Sequence, residues 1–201
     1  VPVLLREPPY ELFQQSRNIA RYFGTPLNWA PVVSPHHTTP AVSMLGGGVP
    51  PRPGQIVRAH GGVLILDELL EFDTRVQSAL RETLETGRIQ IARGLQMEEF
   101  PSHFLTLATT NLCKCGDYVP GTNHKCTCSS TQLRRYTEKL TGPFVDRLTM
   151  LQFTNDWAPD KQKEKKKTVR AADVLAKEEK VRDFASHSRR QTIANEQLSL
   201  D

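Results

Sequence analysis

Short apolar runs along the chain predict the strands of a buried sheet. Residues 63–66 read VLIL, a continuous apolar run of the kind that forms parallel strands covered on both faces. Residues 103–111 read HFLTLATTN and contain a second apolar run, which ends in three polar residues. We expect the two strands to lie side by side in one sheet.

Helical periodicity predicts further elements. An apolar stripe at residues 10–23 predicts a short amphipathic helix, and apolar residues at every fourth position predict a second helix that starts at Asp73 or Thr74 and ends near Gly87. The run after Gly87, RIQIARG, alternates apolar and polar side chains and predicts the first arm of a hairpin whose second arm contains MEEF. Residues 131–140 predict a helix. Residues 141–153 predict the start of another helix, followed by a strand.

Residues 24–54 are rich in proline and glycine, which predicts loops and turns. They include Gly46, Gly47 and Gly48, a triplet that invites comparison with a phosphate-binding loop. No Lys-Ser or Lys-Thr pair follows the triplet, and no strand and helix frame it, so we reject that interpretation. No GxxxxGK[ST] run occurs in the 201 residues.

Two acids, Asp67 and Glu68, follow the first apolar run directly. In an open α/β fold this position is the carboxyl edge of the sheet, where ligands bind. The pattern is typical of a Walker B strand, in which Asp67 would hold Mg²⁺, usually through water, and Glu68 would polarise the water that attacks a phosphate. The alternative is structural, because acids after a core strand also stabilise the N-terminus of a following helix.

All four cysteines lie close together in the chain, at Cys113, Cys115, Cys126 and Cys128. They do not link distant parts of the fold, as the disulfides of small secreted domains do. Four thiolates suit tetrahedral Zn²⁺ and leave no position for a substrate water, so we predict a structural zinc site. The alternative is a set of reduced or redox-active thiols without a metal, and His124 in the same loop is a further candidate ligand.

Composition places few limits on the partners of the chain. The net charge is +4, 38% of the residues are hydrophobic, and a lysine-rich run, KQKEKKK, occupies residues 161–167. This balance permits a nucleic-acid partner without requiring one. We recognise neither eighteen consecutive apolar residues nor a signal peptide, so we expect no membrane partner and a cytoplasmic location.

Three stretches carry a resemblance to one protein family: PHHTT at residues 35–39, MLGGGVPPRPGQIVRAHGG at residues 44–62 and ALRETLETGRIQIARG at residues 79–94. With them the chain resembles a magnesium-chelatase-like AAA+ ATPase of the ComM type. The resemblance is dense over residues 33–147 and implies an α/β fold of the AAA+ P-loop NTPase type. Such a fold is a parallel sheet flanked by helices, here with a zinc-binding insert and the start of a helical lid.

The resemblance also divides the chain. A partial AAA+ core domain takes residues 1–157, with the cysteine insert at residues 113–128. A charged linker at residues 158–167 follows, and residues 168–201 form the start of the lid.

Two site residues are implied by the same resemblance. Asn111 matches the sensor position of AAA+ proteins and would orient water together with Glu68. Arg147, in GPFVDRL, matches the arginine finger that projects into the nucleotide of the next subunit. On the residues alone, the alternatives are a turn residue for Asn111 and, for Arg147, a surface ion pair with Asp146 or Glu138.

The paired histidines His36 and His37 match a family hallmark. Paired histidines can bind a metal, but no acidic or cysteine partner lies near them in the sequence. We therefore predict a role in loop structure or in contacts between subunits.

The implied function is part of an ATP-hydrolysing ring motor, hexameric by resemblance, with ATP and Mg²⁺ as cofactors. Its substrate would be DNA, in translocation or branch migration during natural transformation. The family's phosphate loop lies upstream of PHHTT, so we expect a truncation and little ATP binding by this chain alone. One alternative is a chelatase-like motor with a protein client. Another is a zinc-stapled interaction module, a pseudo-ATPase that presents Arg147 without hydrolysing ATP.

Overall fold

The computed structural model describes residues 9–93, 96–118, 126–140 and 147–152. The chain divides into two compact units: Arg6–Leu148 form one, and Val1–Leu5 with Thr149–Asp201 form the other. Every helix and strand named below belongs to the first unit. Of the second unit the structure describes residues 149–152.

Helices and short strands alternate along the first unit, as in an α/β chain. Its described helices are α1 (Tyr10–Tyr22), α2 (Ala41–Leu45), α3 (Gln55–Arg58), α4 (Thr74–Thr86) and α5 (Ser130–Lys139). Its described strands are β1 (Val32–Val33), β2 (Gly46–Gly47), β3 (Arg52–Pro53), β4 (Val63–Leu66), β5 (Arg88–Arg93), β6 (Gln96–Pro101) and β7 (Leu105–Ala108). A 3-10 turn at Leu69–Glu71 lies between β4 and α4.

β1, β4 and β7 form a parallel sheet in that order. Val63 of β4 pairs with Val32 on one side and with Leu105 on the other. β4 is therefore the central strand of this sheet, and Leu64 and Leu66 are buried in the core. The predicted parallel α/β sheet is confirmed, and so is the prediction that the second apolar run lies beside the first.

The core also takes in α4 and a hairpin formed by β5 and β6. The two hairpin strands pair in antiparallel register, with Arg88 opposite Pro101 and Arg93 opposite Gln96. The hairpin, α4 and β4 contribute to one buried apolar cluster, which includes Leu64, Leu66, Val76, Leu80, Ile89, Ile91 and Phe100. The predicted hairpin is confirmed, and the cluster holds β4 so that the acids after it emerge at the edge of the sheet.

α4 begins and ends where the sequence predicts. Asp73 caps its N-terminus by accepting a hydrogen bond from the Arg75 backbone N–H at 2.8 Å. Gly87 ends the helix in the left-handed conformation, at a φ of 67°. A Cβ on Gly87 would overlap the His103 imidazole, so close packing and backbone conformation both require glycine at this position.

The segment at residues 24–54 contains more regular structure than its proline and glycine content predicts. It includes α2 and a two-stranded antiparallel ribbon of β2 and β3. Gly46 has a φ of 107°, and a Cβ there would overlap the Arg52 carbonyl oxygen. The prediction of loops alone is therefore wrong for α2 and the ribbon. Glycine serves here to let two backbones approach closely.

The buried imidazole of His60 connects α1 with the segment before β7. Its Nε2 lies 2.9 Å from Gln15 Oε1 of α1, and its Nδ1 accepts a hydrogen bond from the His103 backbone N–H at 3.1 Å. The side chain is fully buried. Burial, followed by the charge on nearby His103, lowers the pKa of His60 from 6.5 to about 4.

We expect this histidine to make the fold sensitive to acid. Between pH 6.5 and 4 the unfolded chain takes up a proton that folded His60 does not. Stability therefore falls by up to about 3 kcal/mol as the pH decreases through that window. Urea unfolding at several pH values measures the effect.

The matched variants are His60→Gln and His36→Gln. His60→Gln has no titrating ring and should flatten this part of the stability profile. His36 is exposed, so its replacement should leave the profile as it is in the wild type. Parallel profiles for the wild type and His60→Gln would contradict the pKa assigned to His60.

Several sequence-based predictions lie outside the described residues: the charged linker at 158–167, the start of the lid at 168–201 and the candidate ligand His124. The strand predicted within residues 141–153 is not found at the described residues 147–152. In the part of the chain that the structure describes, no helix has the length and apolar character needed to cross a membrane.

Candidate active site

The acid loop, residues 67–72, leaves the end of β4 at the carboxyl edge of the sheet. Its apolar residues Leu69, Leu70 and Phe72 are buried, whereas Asp67 is exposed. The loop is thus anchored by side chains in the core while its first acid faces solvent. This is the edge at which open α/β sheets bind ligands.

Glu68 has a left-handed backbone conformation, with φ 56° and ψ 51°. Among the described residues it is the one non-glycine residue with a positive φ. This conformation costs on the order of 1 kcal/mol for a residue with a side chain, and such residues cluster at functional sites. The backbone therefore singles out the second acid independently of the sequence motif.

Thr109, at the end of β7, binds both acids. Its hydroxyl donates a hydrogen bond to Asp67 Oδ1 and accepts one from the Glu68 backbone N–H at 3.2 Å. Its carbonyl oxygen accepts a hydrogen bond from the Leu69 N–H at 2.9 Å. Thr109 was not among the predicted site residues, although a polar residue at the end of the neighbouring strand is a usable signal.

His37 lies against the second acid. Its Nδ1 is 2.9 Å from Glu68 Oε2, and the two side chains are 26% and 45% exposed. The neighbouring His36 stacks on the His37 ring with centroids 4.2 Å apart, and its Nδ1 lies 2.8 Å from Thr38 Oγ1. The sequence offered no acidic partner near these histidines, but the fold brings Glu68 to His37 from the end of a different strand.

Asn111 lies two residues beyond Thr109 and is exposed. Its carbonyl oxygen accepts a hydrogen bond from the Thr110 hydroxyl at 3.1 Å. Its side chain faces the cysteine insert, where a Cβ on Gly116 would lie 3.9 Å from the Asn111 amide carbon. Asn111 thus follows β7, and its side chain lies on the side of the cysteine insert.

Arg147 pairs with an acid on α4. Its Nη2 lies 2.6 Å from Glu85 Oε2, and the Arg147 side chain is 26% exposed. The ion-pair alternative from sequence named Asp146 or Glu138, and the structure shows Glu85 as one partner of Arg147. Asp146 lies outside the described residues.

The cysteine site, formed by Cys113, Cys115, Cys126 and Cys128, gathers four sulfur atoms within 4.8 Å of one another. The Cys113 Sγ lies 3.2 Å from Cys115 Sγ and 3.8 Å from Cys126 Sγ. Four thiolates around a tetrahedral Zn²⁺ stand about 3.8 Å apart, given a Zn–S bond of about 2.3 Å. The four sulfurs therefore fit a zinc ion in both number and spacing.

Hydrogen bonds favour the thiolate form of Cys115. They come first from the Asp117 backbone N–H and then from Cys113, and they lower the pKa of the Cys115 thiol from 9.0 to about 6. The thiolate is the form of cysteine that binds metal ions. The pKa of Cys126 is raised to about 12 and that of Cys128 is also raised, so the preference for the thiolate applies to Cys115 and not to the whole insert.

Comparison with known families decides the relationship of the chain. Residues 13–162 match the family described as magnesium chelatase, subunit ChlI. The chain belongs to this family. Membership in the ChlI family confirms the resemblance that the three sequence stretches carry.

Two curated relatives of this ChlI-family chain share more than a third of the aligned residues. Competence protein ComM of Haemophilus influenzae is 42% identical over 125 residues, which cover 61% of this chain and 24% of the relative. The uncharacterized protein YifB of Escherichia coli is 42% identical over 120 residues, which cover 60% of this chain and 23% of the relative. The chain therefore spans about a quarter of the length of the curated relatives it matches.

Among solved structures, NtrX from Brucella abortus in complex with ADP aligns with this ChlI-family chain at a TM-score of 0.34. The aligned residues are 20% identical and cover 40% of this chain and 19% of the NtrX chain.

Proposed function

We propose that this ChlI-family chain carries the hydrolytic residues of an ATP-driven AAA+ ring motor that acts on DNA. The observation that carries the proposal is the acid pair at the carboxyl edge of the sheet, where Thr109 binds Asp67 and His37 lies against Glu68. Membership in the magnesium chelatase subunit family and 42% identity to a competence protein support it.

Each acid has one task in the proposed site. Asp67 offers carboxylate oxygens, the ligand type that Mg²⁺ prefers, and its exposure leaves it accessible to the ion, usually through water. Bound Mg²⁺ neutralises charge on the phosphates of ATP. Glu68 polarises the attacking water, and His37 holds the Glu68 carboxylate in place.

Asn111 and Arg147 supply the remaining polar groups. Asn111 follows the strand next to β4 and would orient the same water as Glu68. Arg147 pairs with Glu85 of α4 in its own subunit. We assign it to the nucleotide of the next subunit because its position matches the arginine finger of the family. A closed ring of identical subunits, hexameric by family resemblance, provides every Arg147 with such a neighbour.

We assign the phosphate-binding loop of the motor to a part of the full-length protein outside these 201 residues. The chain spans about a quarter of the length of its relatives, and its residues contain no GxxxxGK[ST] run. β7 is one of the two outer strands of the described sheet, and its Leu105 and Leu107 are 47% and 42% exposed. An exposed edge strand of this kind favours pairing with a further strand, and we place the phosphate-binding strand there.

The four cysteines would hold a structural Zn²⁺. A closed shell of four thiolates leaves no position for a substrate or a water, so the ion stabilises the insert and takes no part in hydrolysis.

DNA is the proposed substrate of the ring. DNA added to the full-length protein should raise ATP turnover, and DNA affinity should fall about tenfold or more between about 50 and about 200 mM salt, because phosphate contacts release counterions. Fluorescence anisotropy and a coupled ATPase assay measure the two effects. The DNA assignment would be contradicted if added DNA left ATP turnover unchanged and the salt concentration left DNA affinity unchanged.

The family name supports a second candidate, a chelatase-like motor with a protein client. In that case ATP turnover responds to a partner protein and not to DNA. A full-length protein without ATP turnover would contradict both motors and favour the zinc-stapled interaction module.

A further inference from the structure

The cysteine site lies between two chain segments that both contact the acid loop. The segment before it contains β7 and then Thr109, which binds Asp67 at the start of the loop. The segment after it is α5, which begins at Ser130, two residues beyond Cys128. The cysteine site thus lies in the chain between Thr109 and α5, the two supports of the acid loop.

α5 returns to the far end of the acid loop. The Tyr136 hydroxyl donates a hydrogen bond to Glu71 Oε1. The Lys139 ammonium donates a hydrogen bond to the Leu70 carbonyl oxygen at 3.2 Å. Together with Thr109, these contacts hold the loop at both ends, and the two supports join at the cysteine site.

Burial does not fix α5 against the core. No residue of α5 is buried, and exposed polar contacts of this kind contribute roughly 0 to 1 kcal/mol each. A helix of ten residues is also marginally stable by itself. The position of α5 therefore depends on where its N-terminus is held.

The N-terminus of α5 is tied to the cysteines. Ser129 and Gln132 form a capping box, with the Gln132 N–H 3.3 Å from Ser129 Oγ and the Ser129 N–H 3.0 Å from Gln132 Oε1. The N-cap Ser129 is thus the residue directly after Cys128, and the helix begins at the next residue. On the other side of the cluster, Cys113 is buried, four residues beyond Thr109.

We propose that metal binding at the cysteine site positions the acid loop. An ion held by all four thiolates joins the end of β7 rigidly to the start of α5, and Tyr136 and Lys139 then transmit this constraint to Glu71 and Leu70. Tyr136 and Lys139 are positioning residues that act through the loop. The inference rests on the proposed function, because it assigns to the zinc site control over the geometry of Asp67 and Glu68.

Hydrogen exchange in the nucleotide-free, full-length protein tests the proposal without relying on hydrolysis. Removing zinc with a chelator, or replacing a ligand in Cys126→Ser, should raise amide exchange at residues 68–72 and in α5 by about tenfold or more. Exchange in α1 should stay at the wild-type level, and elemental analysis follows the zinc content. Wild-type exchange at residues 68–72 after zinc is lost would overturn the proposal, as would a wild-type protein that binds no zinc.

A second variant keeps the test independent of the cysteines. Tyr136→Phe removes one hydroxyl and should raise amide exchange at residues 68–72 about threefold or more, while the zinc content stays unchanged. Arg135→Ala is the matched control, because Arg135 is an exposed residue of the same helix. Amide exchange at residues 68–72 in this variant should equal that of the wild type. Equal exchange in Tyr136→Phe and Arg135→Ala would overturn the role of α5.

The outcome also separates this inference from the proposed function. Increased loop exchange on zinc loss, in a protein that never hydrolyses ATP, supports the positioning role and contradicts the motor. Active ATP turnover with unchanged loop exchange on zinc loss supports the motor and overturns the positioning role.

Discussion

Replacing Glu68 with glutamine in the full-length protein is expected to lower ATP turnover about 100-fold or more. Glutamine keeps the size of the side chain but lacks the negative charge that, in the proposed site, would polarise the attacking water. ATP affinity should change little, because the proposal assigns Glu68 to the water and Asp67 to the ion. Turnover and nucleotide affinity measured on the same preparation separate the two effects.

Two further variants are compared with Glu68→Gln. Glu82→Gln removes the charge of an exposed acid on α4 and should leave turnover at the wild-type level. His37→Ala keeps the Glu68 carboxylate and removes the ring 2.9 Å away from it, so a smaller loss of about tenfold is expected from poorer positioning. A Glu68→Gln protein as active as Glu82→Gln would exclude Glu68 from catalysis.

Arg147→Ala should lower turnover on the order of a thousandfold, with ATP binding retained. In the proposed site the guanidinium would stabilise charge that spreads over the phosphoryl oxygens in the transition state, so its loss should affect the rate more than the affinity. Steady-state turnover at saturating ATP is the measurement.

The controls for Arg147 are neighbours on α4. Arg81→Ala removes an exposed arginine and should leave turnover unchanged. Glu85→Gln removes the charge partner 2.6 Å from Arg147 but keeps the guanidinium, so turnover within about threefold of the wild type is expected. If Glu85→Gln loses as much activity as Arg147→Ala, Arg147 acts through its ion pair and not as a finger.

The strands and helices that bury a regular stripe were predictable from sequence. The continuous run of β4 and the alternation of Ile89 and Ile91 in β5 report burial directly, because the spacing of buried residues follows the backbone geometry. Asp73 and Gly87 marked the ends of α4 through local hydrogen bonding and backbone conformation. The ribbon of β2 and β3 was missed because its glycines are required by a backbone approach that the sequence does not record.

The candidate site was also predictable from sequence only in part. Asp67 and Glu68 were predictable because they follow a recognisable strand. The contacts of His37 with Glu68 and of Arg147 with Glu85 join residues far apart in the chain, so their partners follow from the packing of whole elements. The grouping of the four cysteines was predictable, because their spacing confines them to one loop. The return of α5 to the acid loop was not, since no side chain of α5 is buried.

Mixing Glu68→Gln subunits with Arg147→Ala subunits tests the central claim most directly, because that claim places the two groups at one nucleotide but on two subunits. In a mixed ring, an Arg147→Ala subunit still supplies Glu68 and its Glu68→Gln neighbour still supplies Arg147. In a random equal mixture about a quarter of the interfaces regain both groups. The account predicts that ATP turnover of the mixture rises well above that of either variant alone. A mixture as inactive as its components would contradict a composite ATPase site.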